Sequence, residues 1–256
     1  TAIFLFHPIN TEVVAYISGR KEALLSIFMF LGFLTFEKSR QKGKAWLLPL
    51  ALVLFATAFF SKESAIVFPA ILILKDLLVK NTLSPILPEK MISKRRVFEW
   101  CLLGFTGLAC LAYRSNLSKL LGSSILAGNE IREVASAGTT TLNPLFLTPF
   151  YTFKYLVPLN LQFEYRGGFS GNWSWLSNNP SVQWILLLVL IVLFIFLLFK
   201  ARGLSFLLLW FYVSLVPVLH FIPFHTPAAE HYLYFPGMGL SLFTGHLITR
   251  KIKSQL

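Results

Sequence analysis

Charge is what this sequence has least of. Lys, Arg, Asp and Glu make up 13% of its 256 residues, where a soluble domain carries about 25%. Acid is scarcer than base, 11 residues against 23. With 55% hydrophobic residues and a mean hydropathy of +0.67, the chain reads as a polytopic membrane protein. The net charge of +12 would favour nucleic acid in a soluble chain. No basic stripe with interleaved exposed aromatics is present, so nucleic-acid binding is set aside. Cysteine is nearly absent: Cys101 and Cys110 share one apolar run, about 13.5 Å apart along a helix. That spacing excludes a bridge, and the neighbours offer no metal ligands. No G-x-S-x-G, P-loop or G-x-G-x-x-G motif occurs, which leaves soluble hydrolase and nucleotide chemistry unsupported. No heptad or TPR-like repeat is visible. The run TAIFLF opens without Met or a basic n-region, so no signal peptide is expected and the chain reads as a piece of something longer.

What is present is a series of apolar runs punctuated by basic loops. Runs at 22–36, 45–60, 65–79, 97–113, 181–199, 204–224 and 236–249 predict about seven spans. Several are short for a bilayer, so tilt or flanking polar residues must supply length. Residues 145–165 hold two prolines, Lys154 and many aromatics, a composition that predicts helices lying in the interface. If this segment does not cross, the loops 38–44, 80–96, 200–202 and 250–253 share one face and carry 14 Lys and Arg. The positive-inside rule makes that face cytoplasmic. Residues 1–256 then form a single transmembrane domain, all-α, with 114–181 as an outer-face loop with interfacial helices. The sequons at Asn116 and Asn172 fall in that outer segment.

Three polar clusters converge on the outer side: His7, Asn10, Glu12 and Arg20; Ser61, Lys62, Glu63 and Ser64; and His225, Glu230, His231, Tyr232 and Tyr234. Asn10 is placed to cap a helix with Glu12 in its first turn. On one continuous helix from there, Glu12, Tyr16 and Arg20 fall on a single stripe. Carboxylates and imidazoles together suit general base work; Arg, Lys and His suit a phosphate. The bland alternative is that such charges are merely solvated loop residues. His225, Glu230 and His231 lack any recognised ligand spacing, so no metal is expected.

These residues also carry a likeness. The segment HPINTEVVAYISGRKEALLSIFMFL resembles the HP-x-x-TE-x-VA-x-I-x-GR motif of the transmembrane and TPR repeat-containing protein O-mannosyltransferases and their bacterial relatives. SKESAIVFPAILILKDLL, YLVPLNLQFEY and PFHTPAAEHYLYFPGMGLSL are similar to the later blocks of that family, in the same order. The resemblance implies a GT-C-like multi-span bundle with its site on the non-cytoplasmic face. It also implies inverting transfer of a sugar such as mannose from a polyprenyl- or dolichyl-phosphate carrier to an acceptor hydroxyl on a protein or glycan.

Carried over residue by residue, the resemblance makes Glu12 and His7 the catalytic candidates. Arg20, Lys62, Glu63, Glu230, His231 and Tyr234 become the substrate-binding ones. Arg20, Lys62 and His231 are expected to meet the departing phosphate. Glu12 and Glu230 are expected to orient sugar or acceptor, or to serve as auxiliary base, while His7 shapes the site. The family's acidic pair, which supplies its base, would lie before Thr1, and its TPR region after Lys253. Glu164 stands where Asp is usual and His231 where Arg is usual, which predicts a weaker and pH-dependent phosphate contact. No cofactor is expected beyond the lipid-linked donor; the partners are that donor, the acceptor and membrane lipids. The competing readings are a transporter or flippase of lipid-linked glycans and a non-catalytic membrane scaffold. Short loops point to a prokaryotic plasma membrane, with the ER membrane as the alternative.

Overall fold

The structure is a computed structural model, and it describes residues 2–41, 43–79, 94–120, 144–162, 165, 173–221 and 228–253. Among the described residues all regular structure is helical, with no strand. The α-helices in chain order are α1 (Ala2–Leu5), α2 (Thr11–Ala15), α3 (Arg20–Ser39), α4 (Leu47–Ser61), α5 (Phe68–Leu78) and α6 (Lys94–Leu120). They continue with α7 (Pro144–Leu156), α8 (Ser174–Ser177), α9 (Pro180–Lys200), α10 (Arg202–Leu215) and α11 (Tyr234–Lys253). Short 3-10 turns at Pro8–Asn10, Ile17–Gly19, Glu63–Val67, Val216–Val218 and Glu230–Leu233 join them.

Local chemistry explains the boundaries. Prolines open the turn at Pro8, α5 and α9, where a missing N–H costs nothing. In α3 an acid, Glu22, sits in the first turn and Lys38 in the last, matching the helix macrodipole at those positions. Ser39 closes the same helix by donating its hydroxyl to the Phe36 carbonyl at 2.7 Å. The loop between α3 and α4 is too short for anything but an antiparallel pair.

Among the described residues two apolar cores result. One gathers Leu25, Met29, Phe36, Phe55, Phe59, Phe68 and Leu72 from α3, α4 and α5. The other gathers Phe146, Phe150, Tyr151 and Tyr155 of α7 with Leu208, Phe211 and Leu215 of α10 and Leu233. Helix α10 belongs to both, because Phe206 and Trp210 on its other side enter the first core. It is the seam of the bundle. Helix α11 packs tightly against it: a Cβ on Gly239 would lie 2.8 Å from the Leu207 carbonyl oxygen, an approach only glycine permits.

The outside of the bundle is apolar. Trp184, Ile185, Leu188, Val189, Val192, Phe196 and Phe199 of α9 are all exposed, far more oil than water tolerates on one helix. By length and composition, Lys94–Asn116 and Pro180–Lys200 are each able to cross a membrane, and Leu47–Ser61 and Arg202–Val218 are shorter apolar helices. Two spanning-length helices are thus directly visible where the sequence predicts about seven spans.

The segment read as interfacial contributes to the core of the bundle. Most of α7 is buried among neighbours, with Phe146, Leu147, Phe150 and Tyr151 at 0% exposure. Pro149 sits inside it. Helix α6 also runs on to Leu120, beyond the apolar stretch that marked it. Glu164, His225, Asn172 and the loop 80–93 lie outside the described residues.

Candidate functional site

The first motif folds as a compact elbow. Pro8 starts a 3-10 turn, and His7 caps it by accepting the Ile9 amide on Nδ1 at 3.4 Å. Helix α2 then begins after Asn10 with Glu12 in its first turn, as expected. The Asn10 side chain does not cap it, however; it donates to the Phe4 carbonyl at 2.6 Å. The single stripe of Glu12, Tyr16 and Arg20 is also corrected. Tyr16 adopts extended backbone (ψ 128°), the chain turns through Ile17–Gly19, and α3 starts afresh at Arg20.

Gly19 makes this elbow possible. A Cβ there would lie 2.8 Å from the Val13 Cα and 3.0 Å from its carbonyl oxygen. Arg20 and Lys21 emerge exposed at the start of α3, with no side-chain cap on that terminus.

Contacts between distant segments then assemble the site. His231 Nδ1 lies 2.7 Å from Glu12 Oε1. A carboxylate can only accept, so that nitrogen carries the proton. The other Glu12 oxygen, Oε2, is buried without a hydrogen bond. Lys62, extended between α4 and the following turn, donates to the Glu22 carboxylate, and its ammonium also sits 4.4 Å above the Tyr232 ring. Burial pulls Lys62 down to about 7, with the Lys21 cation adding to the effect and Glu63 and Glu12 opposing it. The Lys62 ammonium and the Glu22 carboxylate offset each other's charge, so the pair is close to neutral as a unit.

Glu230 lies near enough to Glu12 to feel its charge. Its Oε1 accepts from the Tyr165 hydroxyl at 2.5 Å and the Gln162 amide at 2.8 Å, and Lys154 Nζ is 3.7 Å away. Burial raises the Glu230 carboxyl; the Tyr165 and Gln162 hydrogen bonds and Lys154 pull it back, while Glu12 adds to the rise. Lys154 itself is 0% exposed. It donates to the Leu159 and Asn160 carbonyls at 2.8 and 2.7 Å, which pins Asn160 in its left-handed conformation (φ 51°). A buried ammonium so fully satisfied is a clamp, holding the loop that carries Gln162 and Tyr165 against Glu230.

Beside the Lys62–Glu22 pair lies a small cleft of about 10 Å³, room for a single water, lined by Glu22, Leu25, Lys62, Ser64, Ser214, Val218, Tyr232, Phe235 and Pro236. It lies where the C-terminal end of α10 meets α3, the 62–67 turn and the start of α11.

The remaining candidates fall at the edges. His7 has both ring nitrogens occupied, since Nε2 lies 2.8 Å from the Tyr155 carbonyl oxygen and the ring stacks on Tyr155 at 4.3 Å. Burial lowers its pKa, with the hydrogen bond to the Tyr155 carbonyl opposing. Glu63 is exposed and pairs with Arg114 of α6. Tyr234 packs edge-to-face on Phe4 at 5.2 Å, away from the charged groups. Three residues of the site were not singled out from the sequence as binding groups: Glu22, Tyr165 and Ser214. Glu22 had a signal, an acid directly after a basic pair at a helix start. The others had none. Among the described residues no group of three His, Cys, Asp or Glu is arranged to hold a metal.

The opposite end of the bundle carries a different kind of charge cluster. Arg40 grips Asp76 with two bonds, at 2.5 and 2.9 Å, and Glu99 with a third at 2.8 Å. Trp100 donates to Asp76, Arg95 to Glu99, and Lys75 to Glu37. These bonds lock the ends of α3, α5 and α6 together. Each end thus pairs acids with bases, in a dense lock at one and around a small cleft at the other.

No family model and no solved structure matches this chain. Among curated proteins, a Caenorhabditis elegans protein named as a protein O-mannosyl-transferase is 22% identical over 247 residues, covering 94% of this chain and 32% of the relative. The protein O-mannosyl-transferase Tmtc2 of Drosophila melanogaster is 31% identical over 173 residues, covering 64% of this chain and 18% of the relative. Both are animal proteins, which lends no support to a prokaryotic plasma membrane. The chain spans about a third and about a fifth of the lengths of these two relatives. It is a distant relative of proteins named as O-mannosyl-transferases, the family its motifs resemble.

Proposed function

We propose that this protein is part of a membrane glycosyltransferase that moves a mannosyl group from a polyprenyl-phosphate carrier to a hydroxyl of a protein acceptor, with inversion. The observation that carries the reading is the gathering of Glu12, His231, Lys62, Glu22 and Glu230 at one end of a bundle whose exterior is apolar. A lipid-linked donor has to be reached from the bilayer while its acceptor arrives from water. A polar cleft at the rim of such a bundle meets both needs.

The basic pair at the head of α3 supplies the phosphate site. Arg20 and Lys21 stand at a helix N-terminus, where cations oppose the macrodipole. A phosphate bound there removes that cost, since the free amides and both side chains then face an anion. Lys62 contributes hydrogen bonds more than net charge, because Glu22 already meets its ammonium.

In the transfer step the acceptor oxygen forms its bond to the sugar C1 as the bond from C1 to the phosphate oxygen breaks. The electron pair leaves with the phosphate, and the hydroxyl proton passes to a carboxylate. Glu12, held by His231, is the described carboxylate suited to that proton or to orienting the acceptor. Glu230 orients the sugar or acceptor, and His7 is a positioning residue that fixes the elbow against Tyr155. The scheme uses no metal. The finer architecture we propose is a GT-C-like bundle of about seven spans, its cleft facing the ER lumen and its basic loops the cytoplasm.

The test is transfer of labelled mannose from a polyprenyl-phosphate donor by the full-length protein, wild type beside Glu12→Gln and Arg20→Ala. Transfer reduced at least tenfold in both variants supports the assignment. Undiminished turnover in both removes these residues from the mechanism.

A further inference from the structure

Lys154 is the most enclosed charged residue among those described, at 0% exposure. A buried ammonium is costly unless its protons find acceptors, and hydrophobic residues of similar volume often fill such places as stably. Packing alone therefore gives no reason for a lysine. Its bonds do. They run to backbone, to the Leu159 and Asn160 carbonyls five and six residues on. Helix α7 ends at Leu156, the Leu159 amide turns back to the Val157 carbonyl at 2.8 Å, and Asn160 takes a left-handed φ of 51°, which costs a residue with a Cβ. The ammonium closes the turn by which the chain leaves α7.

That turn carries the support of Glu230. The Gln162 amide and the Tyr165 hydroxyl both donate to Glu230 Oε1. The Tyr165 amide reaches the Ala228 carbonyl at 3.0 Å, so the two segments are also joined through backbone. The ammonium itself lies 3.7 Å from Oε1 and 5.1 Å from the centre of the Tyr165 ring. These partners of Glu230 all meet one oxygen, which leaves Oε2 for a substrate hydroxyl. The next residue, His231, holds Glu12, and Glu230 and His231 share the 3-10 turn Glu230–Leu233. A loosened turn after α7 would thus reach Glu230 through two bonds and Glu12 through one more.

We propose that Lys154 is a positioning residue: it fixes the 157–162 turn so that Glu230, and beyond it His231 and Glu12, stand in the geometry that transfer requires, without itself touching substrate. The assignment rests on the sugar-transfer reading above and adds to it a cation on which none of the site motifs falls.

Hydrogen exchange and mannosyl transfer from a polyprenyl-phosphate donor, measured on full-length protein in nanodiscs, test it with Lys154→Met, Glu230→Gln and the double variant. Methionine keeps the stem of the side chain and removes the ammonium. Exchange in Lys154→Met is expected to rise about tenfold in both 157–162 and 228–233, the loss of bonds to a charged donor, with 20–39 unchanged. Its kcat is expected to fall about tenfold or more with KM for the donor held within about threefold, since Arg20 and Lys21 are untouched. The double variant is expected to lose no more kcat than Glu230→Gln alone. Faster exchange confined to 157–162, or kcat losses that multiply in the double variant, overturns the positioning role. Transfer by Lys154→Met equal to wild type overturns it as well and leaves the transferase reading standing. If Lys154→Met does not fold, the double variant, which has no stranded carboxylate, is set against Glu230→Gln: equal kcat upholds the role, and a further loss or a failure to fold overturns it. If wild type transfers no mannose, the transferase reading falls, and the exchange of 228–233 by itself decides whether Lys154 holds the Glu230 turn.

Discussion

Lys62→Met keeps the aliphatic stem and takes the ammonium away from Glu22. The two side chains are 15% and 5% exposed, so the carboxylate is left buried and uncompensated. Breaking one half of a buried pair costs about 3–5 kcal/mol, and the partial exposure of Lys62 argues for the lower end. At roughly 2–4 °C per kcal/mol for a chain of this size, the variant is expected to melt about 6–12 °C below wild type. Adding Glu22→Gln removes the stranded charge. Replacing both partners of a buried pair is close to neutral, so the double variant should return to within about 1 kcal/mol of wild type. Thermal unfolding in detergent micelles, followed by tryptophan fluorescence and far-UV circular dichroism, reads both numbers. The double variant is expected to recover its fold and not its sugar transfer. A single variant as stable as wild type, or a double variant no better than the single, would refute the pairing.

Other consequences are as specific. Gly19→Ala forces a methyl group into the Val13 backbone; the strain, about 1–3 kcal/mol, should open the elbow and appear as faster proteolysis within 7–20, and unchanged protection would count against the close approach. Arg40→Ala leaves Asp76 and Glu99 buried without their shared cation, so stability should fall by about 3–5 kcal/mol while KM for the donor stays put; a shifted KM would mean the two ends are coupled. The folded state holds the Glu230 proton to higher pH than the unfolded chain does. Its contribution to stability is therefore present at acid pH and lost as pH rises through the raised value. Tyr165→Phe removes a bond that lowers that value, so the acid limb of the pH–rate profile should move to higher pH, and an unmoved limb would detach Glu230 from it.

The long elements were legible because hydrophobic runs speak for themselves. The α9 run has no interruption between Pro180 and Lys200, and the structure returns one helix there. The grouping of Glu12, Lys62, Glu230 and His231 was legible too, as three acid-and-base turns expected on one end of the bundle. Periodicity misled at Tyr16, where the spacing of Glu12, Tyr16 and Arg20 looked helical while the close packing of Gly19 on Val13 demanded a turn. Composition gave no sign that α7, with its prolines and aromatics, would supply Phe146, Phe150 and Tyr151 to the core. The partnership of Lys62 with Glu22, 40 residues apart in sequence, and the empty hydroxyl of Ser214 depend on how helices meet. No local pattern encodes them.

The claim beneath all of this is that turns far apart in the chain act as one pocket, and the contact between Glu12 and His231, 219 residues apart in sequence, is its sharpest instance. A double-mutant cycle on mannosyl transfer by the full-length protein, using Glu12→Gln, His231→Ala and the pair together, measures it most directly. The account predicts that the two changes are non-additive by at least ~1 kcal/mol in kcat/KM, roughly fivefold. Losses that simply multiply would mean that the two side chains work apart, and would contradict it.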